Sequence, residues 1–188
     1  MAKSTLVING SPREGGNTDS ILRMIIQGAE STGMEPIHRK LREMQIAECI
    51  GCCRCREESL CQIQDDMTRM RKDIEDSGLL IFATPNYWCE VTGLMKTFMD
   101  RLYFYHHPAN SMRIAGKKAV IISTMGEATN IEYESALLVE FFARAMKSLN
   151  IEILDTRFFF GLMEKNDIEQ KPEYLRQAFD IGRKLVSF

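Results

Sequence analysis

The 188-residue sequence predicts one doubly wound α/β domain, a five-stranded parallel sheet in the order 2-1-3-4-5 with helices on both faces. Three observations carry this. Short apolar runs alternate five times with segments of helical period. Those runs are apolar at consecutive positions, as strands covered on both faces are. No linker, internal repeat or low-complexity stretch divides residues 1–188, and the length suits one core rather than two.

Each element has its own signal. Thr5-Leu6-Val7-Ile8 is a buried strand closed by the turn residues Asn9-Gly10-Ser11-Pro12. Thr18 to Ser31 is a helix with Ile21, Leu22, Ile25, Ile26 and Ala29 at helical spacing, and Gly33 ends it. Ile37 to Leu41 is a second strand, polar enough for a sheet edge. Residues 44 to 64 are a cysteine-rich insert, after which Asp65-Asp66-Met67 opens a helix to about Asp76, with the aspartates suited to its N-terminus. Leu79 to Ala83 is a central strand, and Val91 to Tyr103 a helix with Leu94, Met95, Phe98, Met99 and Leu102 on one face. Lys117 to Ser123 and Ile151 to Phe160 are the fourth and fifth strands. The helices Ser135–Leu149 and Pro172–Val186 follow them. Tyr105 to Gly116 is the expected mobile loop.

Apolar residues at 45%, charged residues at 27% and a net charge of −2 describe a globular protein with no electrostatic footprint for nucleic acid or anionic membrane. No apolar run reaches the length of a signal core or a membrane span. These features point to a cytoplasmic protein.

In such a sheet ligands bind outside the carboxyl ends of the strands. The first loop, Gly10 to Thr18, leads from a strand into a helix N-terminus, where free N–H groups and the helix dipole attract an anion. Ser11, Asn17 and Thr18 supply neutral donors and Arg13 a charged one. The loop has neither the lysine of a triphosphate-binding loop nor the G-x-G-x-x-G of a dinucleotide fold. It suits a phosphomonoester such as that of FMN; the plain alternative is a turn with Thr18 capping the helix. The loop after the third strand, Thr84-Pro85-Asn86-Tyr87-Trp88-Cys89, carries the only tryptophan beside a tyrosine. Tyr87 and Trp88 can wall a planar heterocycle while Asn86 and backbone groups reach its polar edge; core or dimer packing is the plain alternative. Thr124, Gly126 and Glu127 follow the fourth strand, where the glycine allows close backbone approach. Cys89 is expected to be a small packed residue, and no side-chain nucleophile is expected.

Together, Gly-Ser-Pro-Arg…Gly-Asn-Thr after the first strand and Thr-Pro-Asn-Tyr-Trp…Thr-Gly-Leu-Met-Lys-Thr-Phe-Met-Asp-Arg after the third resemble the NADPH-dependent FMN reductase family, over nearly the whole chain. The resemblance implies a flavodoxin-like fold with FMN phosphate at Ser11, Arg13, Asn17 and Thr18 and the flavin ring at Pro85, Asn86, Tyr87 and Trp88. It also implies NAD(P)H as a substrate, and a homodimer or homotetramer with Lys96, Asp100 and Arg101 on an interface helix.

Five of the six cysteines lie within residues 49–61, reading Cys49-x2-Cys52-x2-Cys55-x5-Cys61 with Cys53 extra. In a reducing compartment such a group suggests a metal or redox site rather than disulfides. Four thiolates can hold a 4Fe–4S cluster; zinc, which favours two separated C-x2-C pairs, and metal-free redox thiols are the alternatives. The spacing resembles the iron–sulfur flavoproteins of the same family, which implies Cys49, Cys52, Cys55 and Cys61 as cluster ligands. The expected function is therefore an FMN-dependent oxidoreductase passing electrons between a 4Fe–4S cluster, FMN and a partner such as ferredoxin. The alternative is a cluster-free NAD(P)H-dependent FMN or quinone reductase.

Overall fold

The structure is a computed structural model that describes residues 4–126 and 129–187. Its strands are β1 (Ser4–Asn9), β2 (Ile37–Lys40), β3 (Ser77–Pro85), β4 (Lys118–Thr124) and β5 (Glu152–Phe159). They form one parallel sheet in the order β2-β1-β3-β4-β5, as the sequence predicts. The helices are α1 (Asn17–Glu30), α2 (Arg54–Glu57), α3 (Met67–Asp76), α4 (Gly93–Arg101), α5 (Pro108–Ser111), α6 (Ile131–Ser148) and α7 (Pro172–Lys184).

The strand alternation builds two cores. Leu6, Ile8, Leu80, Phe82 and Ile121 face Met70, Phe98, Leu138 and Phe142 from α3, α4 and α6. Val7, Ile81, Ala83, Val120 and Ile122 face Ile21, Leu22, Ile25 and Ala178 from α1 and α7. Each of these side chains larger than alanine contributes roughly 1.5–3 kcal/mol by leaving water, which fixes the register against a one-residue slip. The edge strand β2 is only half-buried at all four positions, in keeping with its polar sequence.

Helices α1 and α7 approach through glycines on both sides. A Cβ on Gly28 would overlap the Phe179 carbonyl and lie 3.1 Å from Arg183 N. One on Gly182 would overlap the Ile25 carbonyl and lie 2.9 Å from Ala29 N. This contact holds α1, and with it the loop that precedes α1.

Three local expectations change. Helix α4 ends at Arg101, and residues 102–106 continue as a 3-10 turn. The expected mobile loop is packed instead. Tyr105 and Ile114 are buried, and Asn110 donates to Phe104 O (3.1 Å) while its Oδ1 accepts from Ser59 Oγ (2.7 Å). The aspartates before α3 tie down the preceding segment as well as starting the helix. Asp65 accepts from Ala47 N and Met67 N, and Asp66 from Gln45 N.

Candidate functional site

The chain passes from β1 outward to β2 and then back across to β3, so its direction reverses between β1 and β3. A cavity of about 700 Å³ opens there, within the size range of cofactor sites. It brings together Ser11, Arg13, Asn17, Thr18, Pro85, Asn86, Tyr87, Trp88, Thr124 and Gly126, every described residue that the sequence nominates for cofactor binding. Glu127, also nominated, lies outside the described residues.

The first loop is shaped from below. Asn9 accepts from Ser11 N (2.9 Å) and donates to Asp19 (2.6 Å). Asp19 also accepts from Gly15 N and from both terminal nitrogens of Arg42, at 2.8–3.0 Å. Burial would raise the Asp19 pKa, but the bonds from Arg42, Asn9 and Gly15 outweigh it and hold the carboxyl low. Helix α1 starts at Asn17 after Gly16, which has no side chain to cap it, so Thr18 is not the cap. Its first-turn N–H groups face the anion position of a 14-residue helix.

Two nominated side chains have other partners. The Asn17 amide donates to Leu162 O (3.2 Å) and Glu164 O (2.6 Å) and accepts from Ile168 N (3.1 Å). Both of its donors are thus committed to the segment after β5. Arg13 donates one nitrogen to Met163 O (2.7 Å). The Thr18 and Thr124 hydroxyls share a bond of 2.9 Å, joining the first turn of α1 to the end of β4.

The ring loop is a tight hairpin. Tyr87 and Glu90 exchange backbone bonds of 2.9 and 3.2 Å, and both central residues, Trp88 (φ 54°) and Cys89 (φ 63°), are left-handed. That geometry favours Asn-Gly; non-glycine residues held in it mark a site where structure is spent on function. Trp88 is 98% exposed at the tip, so in a single chain it borders the cavity rather than walling it. Thr92 seats the loop. Its hydroxyl accepts from Met95 N, capping α4, and donates to Gly10 O (2.6 Å). Asn86 donates to Glu134 O (2.8 Å), while its Oδ1 is buried with no partner among the described residues. Cys89 donates to Glu134 Oε2 (3.2 Å), and that bond above all pushes the thiol pKa up.

FMN fits these residues. The cavity is lined by Arg13 and the uncapped start of α1 and by Asn86, whose buried oxygen has no partner among the described residues and could accept from the ring.

Sequence reasoning missed Glu134 and the wall formed by Leu162 and Met163. The second had a signal: it follows β5 at the same carboxyl edge. A Cβ on Gly126 would meet Met163 Cε at 2.6 Å, so the space over this glycine is filled by a flexible side chain of the protein itself.

The cysteine segment departs from expectation. Among the described residues no group of three or more His, Cys, Asp or Glu side chains is arranged to hold a metal ion, which overturns the 4Fe–4S cluster and the electron relay built on it. Cys49, Cys52 and Cys53 are exposed, whereas Cys55 and Cys61 are half-buried and pack against the core. Burial, then the neighbouring Cys61, Cys49 and Cys52, pushes the Cys55 thiol up, so the thiols sense one another without converging as ligands. The space they enclose is about 40 Å³, room for a few waters at most. Beside Cys61 stands a buried cation: Arg101 lies 3.5 Å from its sulfur and pairs with Asp65 at 2.6 Å, its side chain 1% exposed. Arg101 is therefore occupied inside the chain rather than offered on an interface face.

The fold and cavity define a flavodoxin-like flavin-dependent oxidoreductase. Residues 4–157 match the family described as NADPH-dependent FMN reductase, and the chain belongs to that family. It is 28% identical over 179 residues (95% of this chain, 77% of the relative) to an "Iron-sulfur flavoprotein" of Archaeoglobus fulgidus. It is 32% identical over 130 residues (67% of this chain, 68% of the relative) to the "Putative NAD(P)H-dependent FMN-containing oxidoreductase YwqN" of Bacillus subtilis. The chain spans about half the length of other relatives, such as 49% of "Iron-sulfur flavoprotein MJ1083" of Methanocaldococcus jannaschii, which is 34% identical over half of this chain. Among solved structures it resembles the "NAD(P)H:quinone oxidoreductase from Methanothermobacter marburgensis" in fold, with TM-score 0.76, 17% identity and 98% of each chain covered. No described helix is long and apolar enough to cross a membrane.

Proposed function

We propose that the protein is a cluster-free NAD(P)H-dependent reductase of flavin or quinone acceptors. FMN would lie along the cavity, with its phosphate by Ser11, Arg13 and Thr18 and its ring by Pro85, Asn86, Tyr87 and Thr124. The observation that carries this is the cavity at the strand-order reversal, lined by Arg13 and the uncapped start of α1 and by a strained aromatic hairpin. Bound FMN supplies two-electron transfer between the nicotinamide donor and the acceptor. The chain's part is to hold and shield it. The N–H groups at the start of α1 take the phosphate, Asn86 Oδ1 accepts from the ring edge, and Leu162 and Met163 keep water from one side.

The protein is further proposed to be cytoplasmic, where its thiols stay reduced, and to assemble as a homodimer or homotetramer. Exposed Trp88, Tyr133, Leu137 and Met163 support the assembly. The test is anaerobic titration of the protein with FMN, followed by NADH and NADPH oxidation with a neutral quinone or riboflavin as acceptor. Stoichiometric flavin binding and acceptor-dependent turnover are expected. A protein that binds FMN but oxidises neither nucleotide refutes the reductase reading.

A further inference from the structure

The charges along the cavity are unevenly placed. Among the described lining residues Arg13 is the one cation and Glu134 the one carboxylate. Arg13 belongs to the phosphate loop. Glu134, in the first turn of α6, is tied to the ring loop twice, by its backbone oxygen to Asn86 and its carboxylate to Cys89. The described side-chain partner of that carboxylate is a neutral thiol, so among the described residues its charge is offset by the partial positive end of α6 but paired with no cation, at a half-buried position. The other lining residues at this end, Pro85 to Cys89 and Thr124 to Gly126, are uncharged.

We propose that Glu134 sets the charge selectivity of the acceptor end of the cavity, admitting neutral or cationic two-electron acceptors and rejecting anionic ones. A fixed negative charge in a concave, partly desolvated wall repels a like charge far more than it would in open water. Discrimination built on repulsion needs no added contact with the favoured substrate. The inference rests on the reading of this cavity as the acceptor site, but its charge component is testable without flavin.

Cys89 is a built-in reporter, since its sulfur touches the Glu134 carboxylate. Iodoacetamide and iodoacetate form the same S–C bond with loss of iodide and differ in charge. In the apoprotein, peptide mass spectrometry gives the ratio of their rates at Cys89, with exposed Cys53 of the same chain as internal reference. Dividing one rate by the other removes any change in thiol ionisation. The amide should be favoured at Cys89 over the reference by about tenfold, and less at high salt. Glu134→Gln should abolish the excess and Glu134→Asp should retain most of it. Equal ratios in wild type and Glu134→Gln overturn the inference, as does a loss in Glu134→Asp as complete as in Glu134→Gln.

In the FMN-loaded protein, reduced photochemically, a neutral naphthoquinone should reoxidise the flavin faster than its sulfonated analogue. That preference should shrink about tenfold in Glu134→Gln; an unchanged preference overturns the inference. If neither quinone takes electrons while the Cys89 ratios behave as expected, the reductase reading falls and the charge selectivity stands.

Discussion

Replacing Gly182 by alanine tests how the phosphate loop is held. The new methyl would meet the α1 backbone, with Ile25 C at 2.8 Å and Ala29 N at 2.9 Å besides the overlapped carbonyl. No rotamer relieves a clash with main chain, so the helices must part by roughly 1 Å along a contact packed at crystal-like density. Overpacking of this kind costs about 3 kcal/mol or slightly more, and the better helix propensity of alanine returns about 1 kcal/mol. The net loss of about 2 kcal/mol should lower the melting temperature by roughly 4–8 °C for a chain of this size. Gly28→Ala meets the same interface from the other side, so the double variant should cost less than the sum of the two. Gly93→Ala, at a helix start with nothing within 4 Å, should be neutral or slightly stabilising. Circular-dichroism melts with urea titrations provide the measurement. A Gly182→Ala protein as stable as wild type, or additive losses in the double variant, would refute the close-approach argument.

Three further outcomes are expected. Burial raises the Asp65 pKa, but Arg101 and the N–H groups of Ala47 and Met67 more than offset it, so the folded value lies below the ordinary one. Its stabilisation is complete above about pH 5 and is lost as pH falls through the folded value. Asp65→Asn should therefore flatten the acid limb of the stability curve and, by stranding Arg101, cost about 3 kcal/mol at neutral pH, read by urea unfolding across pH. Asn17→Ala, which removes three bonds to residues 162–168, should cost about 2 kcal/mol and weaken FMN and riboflavin equally in fluorescence titrations. Arg13→Gln should weaken FMN about tenfold and leave riboflavin unchanged, since only the phosphate meets the guanidinium; an equal loss for both flavins would place Arg13 in loop support instead.

The sheet order was legible because the central strands are runs such as Leu79 to Ala83 with no polar interruption, whereas the polar Ile37-His38-Arg39-Lys40 segment suits only an edge. The loops at their carboxyl ends were legible for the same topological reason. Side-chain partners were not. Asn17 beside a phosphate loop looks like a ligand donor, yet the carbonyls that occupy it belong to residues 162 and 164, far along the chain. Glu134 lay hidden because α6 starts four residues before the predicted helix, and only tertiary packing brings its first turn to Cys89. The cysteine spacing suggested converging sulfurs. Spacing says nothing of a buried arginine, and Arg101 reaches Cys61 from a helix forty positions away.

Thr92 joins the two binding loops at one point, with its hydroxyl on Gly10 and its backbone at the head of α4. The phosphate loop and the ring loop therefore form a single jaw with a sewn seam. The opposite lip is stitched as well, Met163 O to Arg13 and Glu134 to both Asn86 and Cys89. A ligand would therefore meet a frame laced on both sides, with the exposed side chains of Trp88 and Met163 as its adjustable fringe.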